Sequence, residues 1–104
     1  MIHEIKISQG FADAVYDGDK TFEVRENDRG YNRGDIIEFK VHPIGRPDIF
    51  LREHPLNWRR YEITYVLSGW GIEPGNVVFG IRPIIEKAAG SHEWKKEDPS
   101  CTTR

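Results

Sequence analysis

Gly18-Asp19-Lys20-Thr21-Phe22-Glu23-Val24-Arg25 is the stretch on which the reading of this chain turns. Thr21 to Arg25 alternates with period two, as an extended strand does, so Phe22 and Val24 take one side and Thr21, Glu23 and Arg25 the other. On a regular strand, same-side neighbours repeat at about 6.6 Å. Lys20 stands at the strand entrance, where a flexible ammonium reaches over the same patch. One short segment thus offers a hydroxyl, a carboxylate, a guanidinium and an amine to a single small ligand. Arg25 and Lys20 suit phosphate or carbonyl oxygens. Glu23 suits a base or sugar hydroxyl, or holds Arg25 in place. A Glu–Arg pair on an ordinary exposed strand contributes little, so the surroundings must carry the argument.

Toward the N-terminus, Phe11, Ala14 and Val15 fall at helical spacing behind Ser8, a plausible N-cap, and Gly18 supplies the stop. The spacing predicts a short helix over 9–17 that lays Phe11 and Val15 on a sheet. Before it, His3-Glu4-Ile5-Lys6-Ile7 alternates as a half-buried strand. Toward the C-terminus, Glu26 to Gly34 reads as a long polar turn, and Asp35 opens a strand running to Val41. His42 to Trp58 holds Pro43, Pro47 and Pro55 and reads as an irregular surface insertion, longer than most connections. Arg60 to Leu67 is strand-like, with Tyr61, Ile63, Tyr65 and Leu67 on one face. After turn signals at Ser68–Gly71 and Pro74-Gly75, Val77 to Ile81 is apolar enough for a strand buried on both sides. From Ala88 the chain becomes small and charged. The expectation is one domain over 1–87 and a disordered or loosely packed tail over 88–104. Five short strands and a helix after the first of them predict an α+β fold, a small mixed β-barrel.

The motif Gly18-x-Lys20-x-x-Glu23-x-Arg25 resembles the signature of ASCH domains, members of the PUA-like superfamily. Asn32-Arg33-Gly34-Asp35-Ile36-Ile37 is similar to that family's turn into a strand. Ile63–Leu67, Gly69-Trp70-Gly71 and Gly75–Ile81 resemble the closing strands of an ASCH-like subfamily of uncharacterised bacterial and phage proteins. The likeness runs over about residues 2–82. It implies a PUA-like pseudobarrel with a cleft beside the motif strand that binds RNA or a nucleotide-like small molecule. Some ASCH members are amidohydrolases acting on acylated cytidine, and others are ribonucleases. In the amidohydrolase pattern, a lysine and a threonine on the motif strand work with a glutamate on a later strand. Lys20 matches the lysine, Glu23 stands at the threonine's position, and Thr21 lies two residues earlier.

Composition sets the outer bounds. The 104 residues carry a formal net charge of −2, which gives no bulk attraction to nucleic acid. The charge is uneven, however. Residues 1–19 hold one base against four acids, whereas residues 20–60 hold nine bases against seven acids. Seven of those nine are arginines, whose planar forks suit phosphates and base edges but also simple surface pairing. The single cysteine, Cys101, leaves no internal disulfide to form, so a cytoplasmic location is the default. No apolar run approaches the roughly 20 residues of a membrane span. His3, His42, His54 and His92 are scattered, with no zinc-site spacing, and no glycine-rich phosphate loop occurs. Neither a metal nor a cofactor is expected.

The candidate ligand-binding set is Lys20, Thr21, Glu23, Arg25, Arg29, Tyr65 and Trp70. Arg29 and Arg33 follow the motif strand and extend a phosphate-binding rim, with Arg59 and Arg60 opposite. Trp58, Tyr65 and Trp70 are candidate stacking surfaces. Trp70 is either a platform freed by its flanking glycines or a plug at one barrel end. The favoured reading is a monomeric RNA- or nucleotide-binding module. The alternative is a small hydrolase using the same cleft, with Lys20 and Glu23 as its catalytic groups and Glu62 as the remote carboxylate. A third is a protein that binds a host protein through the 42–58 loop.

Overall fold

The computed structural model describes residues 1–85, and the expected tail at 88–104 lies outside that range. Five strands and one α-helix follow in order: β1 (Ile2–Ser8), α1 (Gln9–Asp17), β2 (Phe22–Glu26), β3 (Ile36–His42), β4 (Arg60–Leu67) and β5 (Asn76–Pro83). They form one mixed sheet in the order β1-β3-β4-β5-β2. β1 runs parallel to β3, and every other pair is antiparallel. The sheet curls into a half-barrel with β1 and β2 as its two edges.

Alternation decides what goes inside. His3, Ile5 and Ile7 of β1 are buried, as are Ile37, Phe39 and Val41 of β3. β5 departs from the expected two-sided burial: Val77, Phe79 and Ile81 face inward, while Asn76, Val78 and Gly80 are only half covered. Among the described residues, no element packs on its outer face. α1 closes one side of the core with Ala12 and Val15, one turn apart on one face. Phe11, expected against the sheet, is instead 59% exposed, because a face centred on Ala12 and Val15 leaves it at the margin. Gly18 ends the helix in the left-handed region at φ 86°. Ser8 occupies the N-cap position, but its side chain makes no capping bond.

β4 also departs from a simple strand. Ile63 pairs with Ile81, but Tyr65 pairs with Gly80, so Thr64 is an extra residue in a bulge. The bulge reverses the inside–outside phase. Tyr61 and Ile63 are buried, whereas Tyr65 is 62% exposed.

The 42–58 segment is partly core. Its last residues form a short 3-10 turn, Pro55–Trp58, in which Leu56 and Asn57 are buried. Asn57 accepts from the Val41 N–H at 2.8 Å and donates to the Leu51 carbonyl at 2.5 Å, so one amide satisfies two backbone groups. His54 Nδ1 accepts from the Leu56 N–H, while Nε2 lies 2.7 Å from Asp13, tying the turn to α1.

At the far end of β1, His3 lies buried with Nε2 2.8 Å from Asp35. Burial alone would raise the Asp35 carboxyl. Hydrogen bonds from His3, the Asn32 N–H and the Met1 amine outweigh it and hold the group below the usual carboxylate range. Burial pushes the nearby Tyr31 phenol up, against the opposing charges of Arg29 and Arg25.

Candidate functional site

β2 turns its polar face inward. Glu23 and Arg25 stand opposite the core residues Phe79 and Val77 on β5, while Phe22 and Val24 stand on the outer face opposite Gly80 and Val78. Glu23 is therefore buried, with 3% of its surface exposed. A buried carboxylate needs charged partners and filled lone pairs, and both are supplied from the same segment. Lys20 Nζ donates to Oε2 of Glu23, and to the Phe22 carbonyl at 2.9 Å. Arg25 donates from Nε at 3.0 Å and Nη2 at 2.8 Å to Oε1. Both carboxylate oxygens are thus engaged, and Glu23 acts as a holder for two cations.

The seam between the two edge strands is bridged by side chains. Alternate β1 carbonyls point away from β3. Arg25 Nη2 reaches that of Lys6 at 2.6 Å, and Arg29 Nη1 reaches that of Glu4 at 2.7 Å. Beside the seam lies an open groove of about 490 Å³, walled by Lys6, Ile7, Ser8, Phe11, Lys20, Phe22, Glu23, Val24 and Arg25. Its size falls within the range of small-molecule clefts, about 300–1,000 Å³. Phe11 and Phe22 flank the Lys20 ammonium, with ring centroids at 5.1 and 5.2 Å. Of the site's donors, Nη1 of Arg25 and one N–H of Lys20 are not used in these bonds. The groove therefore presents two fixed cations, partly offset by one buried carboxylate, between exposed apolar and aromatic faces. The first turn of α1 begins at Ser8 on this wall, and its N–H groups have no partner within the helix.

Three of the expected residues, Lys20, Glu23 and Arg25, meet in this groove. Thr21 is exposed and lines a separate, smaller hollow with Tyr16 and Arg59. Arg29 caps the β1 edge beyond the groove. Tyr65 is turned out by the bulge, and Trp70 is 90% exposed on the β4–β5 loop, so it plugs no barrel end; neither is among the residues that wall the groove. Glu62 pairs with Arg82 at 3.1 Å and lines a different hollow with Arg33 and Thr64. Sequence reasoning missed the other groove residues: Lys6, Ile7 and Ser8 from β1, and Phe11, Phe22 and Val24. The signal for the last two was present: if Glu23 and Arg25 face inward, their strand neighbours face outward. Among the described residues, no group of three or more His, Cys, Asp or Glu could hold a metal ion, and no helix is long and apolar enough to cross a membrane.

A family model described as "Domain of unknown function (DUF3850)" matches residues 2–81. No curated protein matches the chain. Among solved structures, one titled "Crystal structure of hypothetical protein PH0355" is similar over 81% of this chain and 100% of that one, with a TM-score of 0.53 and 16% identity. At that identity the likeness concerns the fold alone.

Proposed function

We propose that this chain, which belongs to the DUF3850 family over residues 2–81, binds RNA or a nucleotide-like molecule in the groove beside β2. In this reading the half-barrel is a PUA-like domain of the ASCH type. The observation that carries it is the buried Glu23 clamped between Lys20 and Arg25 in a concave groove, with two phenylalanines at its rim. Fixed cations with spare donors suit phosphate or a base carbonyl, and the phenyl faces suit stacking against a base. Binding is favoured over hydrolysis because both Glu23 oxygens are occupied and, among the described residues, no other carboxylate lines the groove.

The test is fluorescence anisotropy with labelled single-stranded RNA and with a mononucleotide, across a salt series. Lys20→Ala should weaken binding about tenfold and flatten the salt dependence, and Phe22→Ala should weaken it without changing the salt slope. Binding that is insensitive to both substitutions, or to salt, refutes the reading. Hydrolysis of an acylated cytidine that Lys20→Ala abolishes would favour the enzyme alternative.

A further inference from the structure

We infer that the ligand is a single-stranded polynucleotide rather than a mononucleotide, and that a second subsite built on Trp58, Arg59 and Arg60 receives its neighbouring nucleotides. This rests on the preceding reading of the Lys20 groove. Three hollows share their walls. Lys20 lines both the groove and a hollow of about 100 Å³ that also touches Thr21, Tyr16 and Arg59. Tyr16 and Arg59 then line a larger hollow, about 670 Å³, with Trp58, Arg60 and Lys40. The three hollows therefore adjoin one another around the C-terminal end of α1, and a mononucleotide would fill only one of them.

The second hollow is pre-organised. The Arg59 guanidinium lies 4.1 Å from the centroid of the Tyr16 ring, and its Nη1 donates to the Tyr16 carbonyl and the Tyr61 hydroxyl, each at 3.4 Å. Trp58 is 70% exposed, yet its backbone is fixed, because Leu56 and Asn57 beside it are buried and hydrogen-bonded. An exposed indole on an anchored turn is a stacking surface whose ordering cost is already met by the fold. Lys40, Arg59 and Arg60 meet two acids, Glu38, which pairs with Arg60 at 2.7 Å, and Glu4, which pairs with Lys40 at 3.6 Å from outside the hollow. That wall is net positive in a chain whose net charge is −2. Asp17 lines the narrow middle hollow, so phosphates belong in the two outer hollows and not in the middle one.

Anisotropy on the full chain, with a labelled RNA of about 12 nucleotides and with a mononucleotide, decides this. Trp58→Ala should weaken the RNA about tenfold, leave mononucleotide binding unchanged, and be rescued by Trp58→Phe, as expected for a stacked base. Arg60→Ala should weaken the RNA alone and lower its salt slope. Thermal melts check that both variants remain folded. RNA binding that depends on Lys20 but not on Trp58 or Arg60 overturns the second subsite while leaving the groove. Binding that depends on Trp58 but not on Lys20 overturns the groove reading instead. If the RNA binds no tighter than the mononucleotide, or neither binds, the polynucleotide assignment is wrong.

Discussion

Arg25 grips Glu23 through a single carboxylate oxygen, with Nε and Nη2 at 3.0 and 2.8 Å, while the same Nη2 reaches across the seam to the Lys6 carbonyl. One guanidinium thereby joins the two edge strands and fixes a buried charge. Glu23→Ala would leave Arg25 and Lys20 facing each other without a counter-charge. Breaking a buried pair costs about 3–5 kcal/mol. Arg25 and Lys20 retain 26% and 16% side-chain exposure, so water recovers part of it. The expected loss is about 2–3 kcal/mol, with Glu23→Gln costing less because the amide oxygen still accepts. Urea denaturation checks it, and a loss below about 0.5 kcal/mol would show the clamp to be structurally idle.

Asp35 links stability to pH. Its folded carboxyl is held below its ordinary value by His3, the Asn32 N–H and the Met1 amine, which outweigh burial. A depressed carboxylate adds stability that is fully present above its unfolded value, near pH 4, and is lost as pH falls through the folded value. Asp35→Asn should therefore cost about 1–3 kcal/mol near neutrality. The gap between variant and wild type should close on acidification below about pH 4. Denaturant titrations at neutral and acid pH measure it, and a gap that stays constant with pH would contradict this role for Asp35.

How much of this was legible in the sequence follows from the range of the interactions. Period-two alternation located β1 and β2, because each strand's inside and outside are set by adjacent residues. Lys20, Glu23 and Arg25 were legible as a group for the same reason. Phe11 failed because helical spacing places it near the buried face without saying which residues centre that face. Ser8 and Lys6 reach the groove only because β1 closes against β2, a contact between distant parts of the chain. Tyr65 failed because a one-residue bulge reverses everything after it, and nothing in Ile63-Thr64-Tyr65 announces one. Asn57 lies in the segment read as a surface insertion, but it is buried because its amide serves the backbone groups of Val41 and Leu51.

Trp70 holds a left-handed backbone, φ 58°, between Gly69 at 74° and Gly71 at 87°. A large side chain is disfavoured there by about 1–2 kcal/mol, and at 90% exposure the indole gains little by packing. Asparagine tolerates this region better. Trp70→Asn should raise stability by about 0.5–1 kcal/mol, seen as a higher melting temperature, with RNA affinity unchanged. A drop in either would give the indole a packing or binding role.

Gly80 faces the bulge in β4. A Cβ built on it would lie 2.6 Å from Thr64 Oγ1 and 3.9 Å from the Thr21 carbonyl, so the glycine makes room for the extra residue. Thr64 is β-branched and has few rotamers to retreat into. Gly80→Ala should destabilise by about 1–3 kcal/mol, as overpacking does. If the hydroxyl is the obstacle, Thr64→Gly should cost little more in the Gly80→Ala background than it recovers, and the double mutant should show favourable coupling of about 1 kcal/mol or more. Additive costs would mean that Gly80 is needed for its backbone alone. The same cycle reports on the exposed Tyr65, since a β4 that lost its bulge would swing that ring inward and quench its accessibility to a solvent probe.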